Sequence, residues 1–215
     1  MARLLVFDLD GTLVDSSRDL AAATNAALQR VAPGTVAIPL DAVIGFVGEG
    51  ARVLVERSLR HSRLDLSPDD VLPVFLDCYA GRLLDTTRLY PGIAEALAAL
   101  RSLTLAVLTN KPGPFSRTIL EGLGVAARFA RIWGAGDVAA RKPDPSGLLR
   151  LVEELAGQPA DTVMIGDSAT DVATARAAGV KVLGVAWGLD PSGLRAARPE
   201  RILEHPRELA ELAAE

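Results

Sequence analysis

One short apolar run opens the chain, and further runs alternate with amphipathic segments after residue 88. The runs have the length of buried parallel strands, and the segments between them carry apolar residues at helical spacing. The predicted strands cover residues 4–7, 103–108, 130–133, 163–165 and 180–185, and predicted helices cover residues 93–100 and 171–178. Gly179 is placed to end the second of these helices. This alternation predicts a parallel sheet with helices on both faces.

Residues 16–84 interrupt the alternation. Three segments there, residues 18–31, 51–59 and 71–83, have helical character, and no strand is predicted among them. We therefore predict an α/β protein with a doubly wound parallel-sheet (Rossmann-like) core, formed by residues 1–15 and 85–215, and an inserted all-helical cap, residues 16–84. A cap of about 70 residues is near the lower size for an independent core, so we expect it to pack on the main domain. The C-terminal residues 206–215 are predicted to form a short helix.

Composition excludes several classes of function. The net charge is −4 and no basic run is present, which argues against nucleic acid as a partner. No apolar stretch approaches the ~20 residues that span a bilayer, so no membrane association is expected. The single cysteine, Cys78, excludes an internal disulfide and fits a reducing cytoplasm, where we expect it to be buried.

Pairs of acidic residues follow two of the predicted strands. Asp8 and Asp10 come directly after the first strand, and Asp167 follows another strand through Gly166, with Asp171 four residues later. Doubly wound sheets bind ligands at the carboxyl ends of their strands. Closely spaced carboxylates repel each other, and burying them is unfavourable without a cation or a shared proton. An acidic turn at Asp8 and a helix cap at Asp171 are the structural alternatives.

Four segments resemble, in order, the four motifs of the haloacid-dehalogenase-like hydrolases, most of which are phosphatases. They are Asp8-Leu9-Asp10-Gly11-Thr12-Leu13, Leu108-Thr109-Asn110, Lys142-Pro143 and Ile165-Gly166-Asp167-Ser168-Ala169-Thr170-Asp171. The spacing fits that family along essentially the whole chain. Spacing alone does not decide which of the first two acids is the nucleophile.

The resemblance implies a phosphomonoesterase and assigns roles to individual residues. Asp8 would be the nucleophile that forms an acyl phosphate, and Asp10 would protonate the leaving alcohol and then activate water. Lys142 would neutralise charge on the phosphate and on Asp8. Thr109, with help from the Asn110 backbone, would hydrogen-bond a phosphoryl oxygen.

The acidic residues also imply a metal site. A hard, all-oxygen set of ligands suits Mg²⁺. By the same resemblance, the side chains of Asp8 and Asp167 and the backbone carbonyl of Asp10 are the ligands, and Asp171 acts more indirectly. The ion would also allow a dianionic phosphate to approach an acidic pocket.

The predicted cap carries a finer resemblance. The stretch from Gly45 to Leu54 looks like the Gly-x-Gly-x-x-x-Leu segment in the cap of the phosphoglycolate phosphatases, as does Thr109-Asn110-Lys111-Pro112. This implies a small phosphorylated metabolite as substrate, with 2-phosphoglycolate the leading candidate. Arg52 would then pair with the substrate carboxylate, unless it is a solvated helix arginine. Lys111 and Arg141 are neighbours without an assigned role.

Three other functions stay open. A phosphosugar mutase would use the same phosphoaspartate but transfer the group to a second sugar. A dehalogenase would not need Asp10, because a halide leaves without protonation. The chain could also be a non-catalytic binding protein that kept the fold. The oligomeric state, monomer or homodimer, also stays open.

Overall fold

The computed structural model describes residues 4–213, and the predicted core boundaries at residues 1 and 215 lie outside them. In chain order the strands are β1 (Leu4–Phe7), β2 (Val14–Asp15), β3 (Arg88–Leu89), β4 (Thr104–Pro112), β5 (Arg131–Ala135), β6 (Thr162–Gly166), β7 (Lys181–Val185) and β8 (Arg201–Leu203). The helices are α1 (Ser17–Val31), α2 (Leu40–Ile44), α3 (Ala51–His61), α4 (Pro68–Ala80), α5 (Ile93–Ala99), α6 (Gly113–Gly122), α7 (Ser146–Glu154), α8 (Ala169–Ala177) and α9 (Pro191–Ala197). Short 3₁₀ helices cover Ala126–Arg128, Pro159–Asp161 and Pro206–Ala213.

Six parallel strands form the main sheet in the order β5-β4-β1-β6-β7-β8. The chain adds β4 and β5 on one side of β1 and then returns to add β6, β7 and β8 on the other side. The strand order therefore reverses at β1, and ligands of such sheets bind outside the carboxyl ends of the strands at this switch point. The predicted doubly wound α/β fold is confirmed.

The sheet separates two apolar layers, because successive side chains of a strand point to opposite faces. Leu5 and Phe7 of β1 belong to one buried cluster, together with residues of α5 and α6. Leu4 and Val6 belong to the other, which α7, α8 and α9 cover. All four side chains of β1 are at most 1% exposed, as expected for a central parallel strand.

Helices α1 to α4 lie in the segment predicted as the cap, which is called the cap below, and two short strands connect this segment to the core. Strands β2 and β3 pair antiparallel there, so the outgoing and returning chains run side by side. Asp19 of α1 stabilises this connection by accepting hydrogen bonds from the backbone and hydroxyl groups of Thr86 and Thr87. Apolar cap residues such as Phe75 lie in the same cluster as Phe7. The cap therefore shares its apolar core with one face of the sheet.

Two of the predicted elements differ in the structure, and several others, among them α2, α6, α7, α9 and β8, were not predicted. Strand β4 continues through Thr109, Asn110 and Lys111 to Pro112, beyond the apolar run that ends at residue 108. The C-terminal segment Pro206–Ala213 is a 3₁₀ helix rather than an α-helix. Its buried residues Leu209 and Leu212 are three apart, which matches the three residues per turn of a 3₁₀ helix.

Within residues 4–213, no helix combines the length and the apolar character that crossing a bilayer would require.

Candidate active site

Two neighbouring strands bring the first acidic residues together. Asp8 follows β1 and Asp167 follows β6, and these strands pair in parallel with Phe7 opposite Ile165. The amide of Asp8 continues the ladder by donating to the carbonyl of Ile165 at 2.9 Å. Asp171 lies in the first turn of α8. One carboxylate oxygen from each of Asp8, Asp167 and Asp171 lies within 4.8 Å of the others.

Glycines allow the carboxylates to approach the backbone this closely. A Cβ atom at Gly11, whose φ is +82°, would lie 2.1 Å from Oδ2 of Asp167. A Cβ atom at Gly166 would lie 2.3 Å from Cγ of Asp171. Real Cβ contacts do not reach such distances, so a side chain at either position would displace a carboxylate.

Lys142 lies between two of the carboxylates. Its Nζ is 2.9 Å from Oδ1 of Asp8 and 2.7 Å from Oδ1 of Asp171, and its side chain is 2% exposed. Burial alone lowers the pKa of Lys142, but Asp171 and Asp8 outweigh burial and hold the pKa above its usual value. The ammonium group is therefore charged. Asp171 also caps α8, since its second oxygen accepts the amide and hydroxyl of Ser168 at 3.1 and 2.6 Å.

The cluster carries more negative than positive charge. Burial raises the pKa of Asp8 to about 6, with Lys142 opposing and Asp171 reinforcing the shift. Burial, followed by repulsion from Asp171 and Asp8, raises the pKa of Asp167 well above its usual value. Asp167 accepts the Leu189 amide at 2.7 Å, and it makes no ion pair within the described part of the chain. Three buried carboxylates facing one ammonium group form a site that favours a further cation.

Asp10 is separate from this cluster and has its own cation. Nζ of Lys111 lies 2.9 and 3.0 Å from the two carboxylate oxygens of Asp10, and the hydroxyl of Ser16 also donates to Asp10. The Lys111 side chain is 3% exposed, with Nζ 4.6 Å from the ring centre of Tyr79. Lys111 was expected only as a neighbour of the site, without a role of its own. Its burial depends on the cap residue Tyr79, which is distant in sequence.

Thr109 and Asn110 lie in the C-terminal half of β4 beside these groups, and both are 4% exposed. The Thr109 hydroxyl accepts the Lys111 amide at 3.3 Å. The Asn110 side chain donates to the carbonyls of Gly48 and Lys142 at 3.0 and 2.9 Å. This amide therefore connects the cap loop to the segment that carries Lys142.

Asp8 borders two cavities beneath the cap. The larger has a volume of about 330 Å³ and is lined on the core side by Asp8, Asp167 and Ser168 and on the cap side by Val47, Glu49 and Arg57. The smaller has a volume of about 40 Å³, and its polar lining includes Asp8, Asp10, Thr109 and Lys111. Val47 and Gly48 border both cavities, so this loop of the cap lies over Asp8.

The expected position of Arg52 needs correction, because the structure does not bring it to the site. Its guanidinium forms a two-point contact with Asp69 at 2.8 and 3.2 Å, and its side chain is 44% exposed. It lines neither cavity. The N-terminus of α4, where Asp69 lies, packs next to α3 and holds the arginine on the outer surface of the cap.

Known proteins resemble the chain over most of its length. The family model described as "Haloacid dehalogenase-like hydrolase" matches residues 5–185. A phosphoglycolate phosphatase of Mesorhizobium japonicum is 37% identical over 207 residues, covering 94% of this chain and 90% of that protein. A phosphoglycolate phosphatase of Rhodospirillum rubrum is 42% identical over 199 residues, covering 87% of this chain and 81% of that protein. The crystal structure of a predicted phosphoglycolate phosphatase from Haemophilus somnus 129pt has a TM-score of 0.91 at 30% identity, covering 98% and 97% of the two chains.

Proposed function

Because the chain belongs to the haloacid dehalogenase-like hydrolase family and is a phosphatase, we propose that it is a Mg²⁺-dependent phosphomonoesterase acting on a small metabolite. 2-Phosphoglycolate is the first candidate, since relatives at 37% and 42% identity carry the name phosphoglycolate phosphatase. One observation carries the proposal. The buried Asp8 carboxylate lies at the switch point of the sheet, borders both cavities and contacts the Lys142 ammonium at 2.9 Å.

Asp8 is the proposed nucleophile. Its carboxylate attacks phosphorus and forms an acyl phosphate, while the bond between phosphorus and the alcohol oxygen breaks. That oxygen takes the proton of Asp10, which enters this step as the carboxylic acid and leaves it as the carboxylate. Water then attacks phosphorus, Asp10 accepts the proton of the water, and inorganic phosphate leaves with Asp8 restored. Lys142 lies where negative charge develops, and an ammonium ion fixed there in advance stabilises the transition state.

Positioning of Asp10 is the proposed task of Lys111 and Ser16. Both contact the carboxylate of Asp10, and Asp10 borders the smaller cavity together with Asp8. Fixing a proton donor next to the leaving oxygen saves the orientational entropy that a free acid would lose. Thr109 and the Asn110 backbone border the same cavity, where they would hydrogen-bond the phosphoryl oxygens.

The residues present fit a divalent metal ion. Asp8, Asp167 and Asp171 offer three buried carboxylates, and the Lys142 ammonium contacts only two of them. Asp8, Asp167 and the backbone carbonyl of Asp10 would hold Mg²⁺, with Asp171 contributing through Lys142. A bound ion would offset the charge of the phosphate dianion next to these acids.

A screen of phosphorylated metabolites by release of inorganic phosphate tests this function. We expect Mg²⁺-dependent hydrolysis that stops with EDTA and in Asp8→Asn, and the highest kcat/KM for 2-phosphoglycolate. Transfer of phosphate to a second sugar without release would identify a mutase instead.

A metabolite substrate and the single buried Cys78 also support a cytoplasmic enzyme.

A further inference from the structure

The larger cavity contains one cationic side chain from the cap, Arg57 of α3. Among the described residues that line this cavity no other lysine or arginine occurs, whereas Asp8, Glu49, Asp167 and Asp190 all contribute carboxylates. Asp190 is engaged in capping α9 through the Gly193 amide at 2.9 Å. Among the described lining side chains, Arg57 is therefore the one whose charge would attract an anionic group entering the cavity, besides any bound metal ion.

The guanidinium of Arg57 is held in place but keeps unused donors. One terminal nitrogen donates to the Phe46 carbonyl at 3.4 Å and the other to Glu49. A guanidinium has five N–H donors, so three make no hydrogen bond within residues 4–213. The side chain is 32% exposed, which leaves it accessible to a ligand in the cavity.

The two lysines next to Asp8 and Asp10 are already engaged. Lys142 lies between Asp8 and Asp171, and Lys111 contacts both oxygens of Asp10. Both ammonium groups are almost fully buried. Neither is available for a second negative group of the substrate, at the end away from the phosphate.

We infer that Arg57 binds the carboxylate of the substrate and thereby selects a carboxylate-bearing phosphate ester. The inference rests on the proposed function, which brings the phosphate to Asp8. The two-carbon alcohol of 2-phosphoglycolate would extend from Asp8 into the cavity of about 330 Å³ that Arg57 also lines. A planar guanidinium matches a carboxylate with two parallel hydrogen bonds. Glu49 holds the guanidinium but also competes with the substrate for it.

Arg52 provides a matched control on the same helix. It lies five residues before Arg57, about 140° away around α3, and pairs with Asp69 outside both cavities. The two arginines therefore share their chemistry and their helix but not their surroundings. Arg57→Gln and Arg52→Gln remove the same charge from the cap, and glutamine can still donate to the Phe46 carbonyl.

Binding of two small phosphonates tests the inference without turnover. Calorimetry with Mg²⁺ would compare phosphonoacetate, which carries a carboxylate, with ethylphosphonate, which does not. We expect the wild type to prefer phosphonoacetate, Arg57→Gln to weaken its binding by about 10- to 100-fold, and both variants to bind ethylphosphonate like the wild type. Arg52→Gln should retain the preference for phosphonoacetate. Glu49→Gln should bind phosphonoacetate more tightly than the wild type, and this variant tests the inference even if Arg57→Gln does not fold.

Equal affinities of the wild type for the two phosphonates would overturn the inference. So would an Arg57→Gln variant that prefers phosphonoacetate as strongly as the wild type does, or a Glu49→Gln variant that binds phosphonoacetate more weakly than the wild type. Kinetics on 2-phosphoglycolate and ethyl phosphate separate this failure from failure of the proposed function. Equal kcat/KM values for both esters would leave a phosphatase in which Arg57 has no such role. A phosphonoacetate preference that depends on Arg57, without hydrolysis of any ester, would leave the carboxylate site and reject the phosphatase mechanism.

Discussion

Replacing the proposed nucleophile should stabilise the metal-free protein while abolishing its activity. Asp8 is buried next to Asp171, and its pKa is raised from 3.8 to about 6. Above pH 6 the folded protein therefore carries a buried charge that the unfolded chain exposes to water. Asp8→Asn substitutes a neutral group of the same shape, whose oxygen can still accept the Leu9 amide and the Lys142 ammonium.

The magnitude follows from the two pKa values. A difference of about two units corresponds to about 3 kcal/mol of unfolding free energy at pH 7.5. A raised carboxyl pKa gives stability that is present below the unfolded value of 3.8 and lost as the pH rises through about 6. The difference in unfolding free energy between Asp8→Asn and the wild type should consequently decrease to about 1 kcal/mol at pH 4.5. For a chain of this size, 3 kcal/mol corresponds to a Tm increase of roughly 6–12 °C.

Thermal unfolding in EDTA at pH 7.5 and pH 4.5 measures this difference for the wild type and Asp8→Asn. Added Mg²⁺ should raise the Tm of the wild type more than that of the variant, because the variant loses a ligand. An unchanged or lower Tm for Asp8→Asn at pH 7.5 in EDTA would refute the reasoning. A difference of the same size at both pH values would show that ionisation of Asp8 is not its cause.

Three further variants test other parts of the site. Asp10→Asn should lose at least 99% of kcat yet still bind Mg²⁺ in calorimetry, because the proposed contact of residue 10 with the ion is through the backbone carbonyl. Loss of Mg²⁺ binding in this variant would mean that the proposed ligand set is wrong. Lys111→Met leaves the Asp10 carboxylate without its cation, so kcat should fall and the free energy of unfolding in urea should decrease by about 3–5 kcal/mol. An unchanged kcat and an unchanged unfolding free energy would reject the positioning role of Lys111. Gly166→Ala places a Cβ atom 2.3 Å from Cγ of Asp171, so both Tm and kcat should fall, and wild-type kcat would show that the position of Asp171 is not critical.

The sequence predicts the positions of Asp8 and Asp167 because their local context is sufficient. Each follows an apolar run of strand length, and parallel strands align their carboxyl ends at one edge of the sheet. The continuation of β4 through Thr109 and Lys111 was not predictable from hydropathy. These polar residues are buried because they face the acids of the site, and those acids come from distant parts of the chain.

The cap is where sequence reasoning failed. Arg52 follows the glycine turn and was expected at the substrate, whereas Arg57 lines the cavity. Which of two arginines on one helix faces the core depends on how α3 packs against α4 and on the contact between Arg52 and Asp69. The same holds for Lys111, whose surroundings include Tyr79 of α4. Periodicity within one helix does not contain this information.

Chemical trapping of the phosphoryl group on Asp8 tests the central claim most directly. The enzyme would be quenched during turnover of 2-phosphoglycolate or an aryl phosphate, reduced with borohydride and digested, and the peptide containing residue 8 analysed by mass spectrometry. An acyl phosphate on Asp8 is reduced to homoserine, so we predict homoserine at position 8 in samples quenched during turnover and none in samples without substrate. Turnover without modification at Asp8, or with reduction at another carboxylate, would contradict the account.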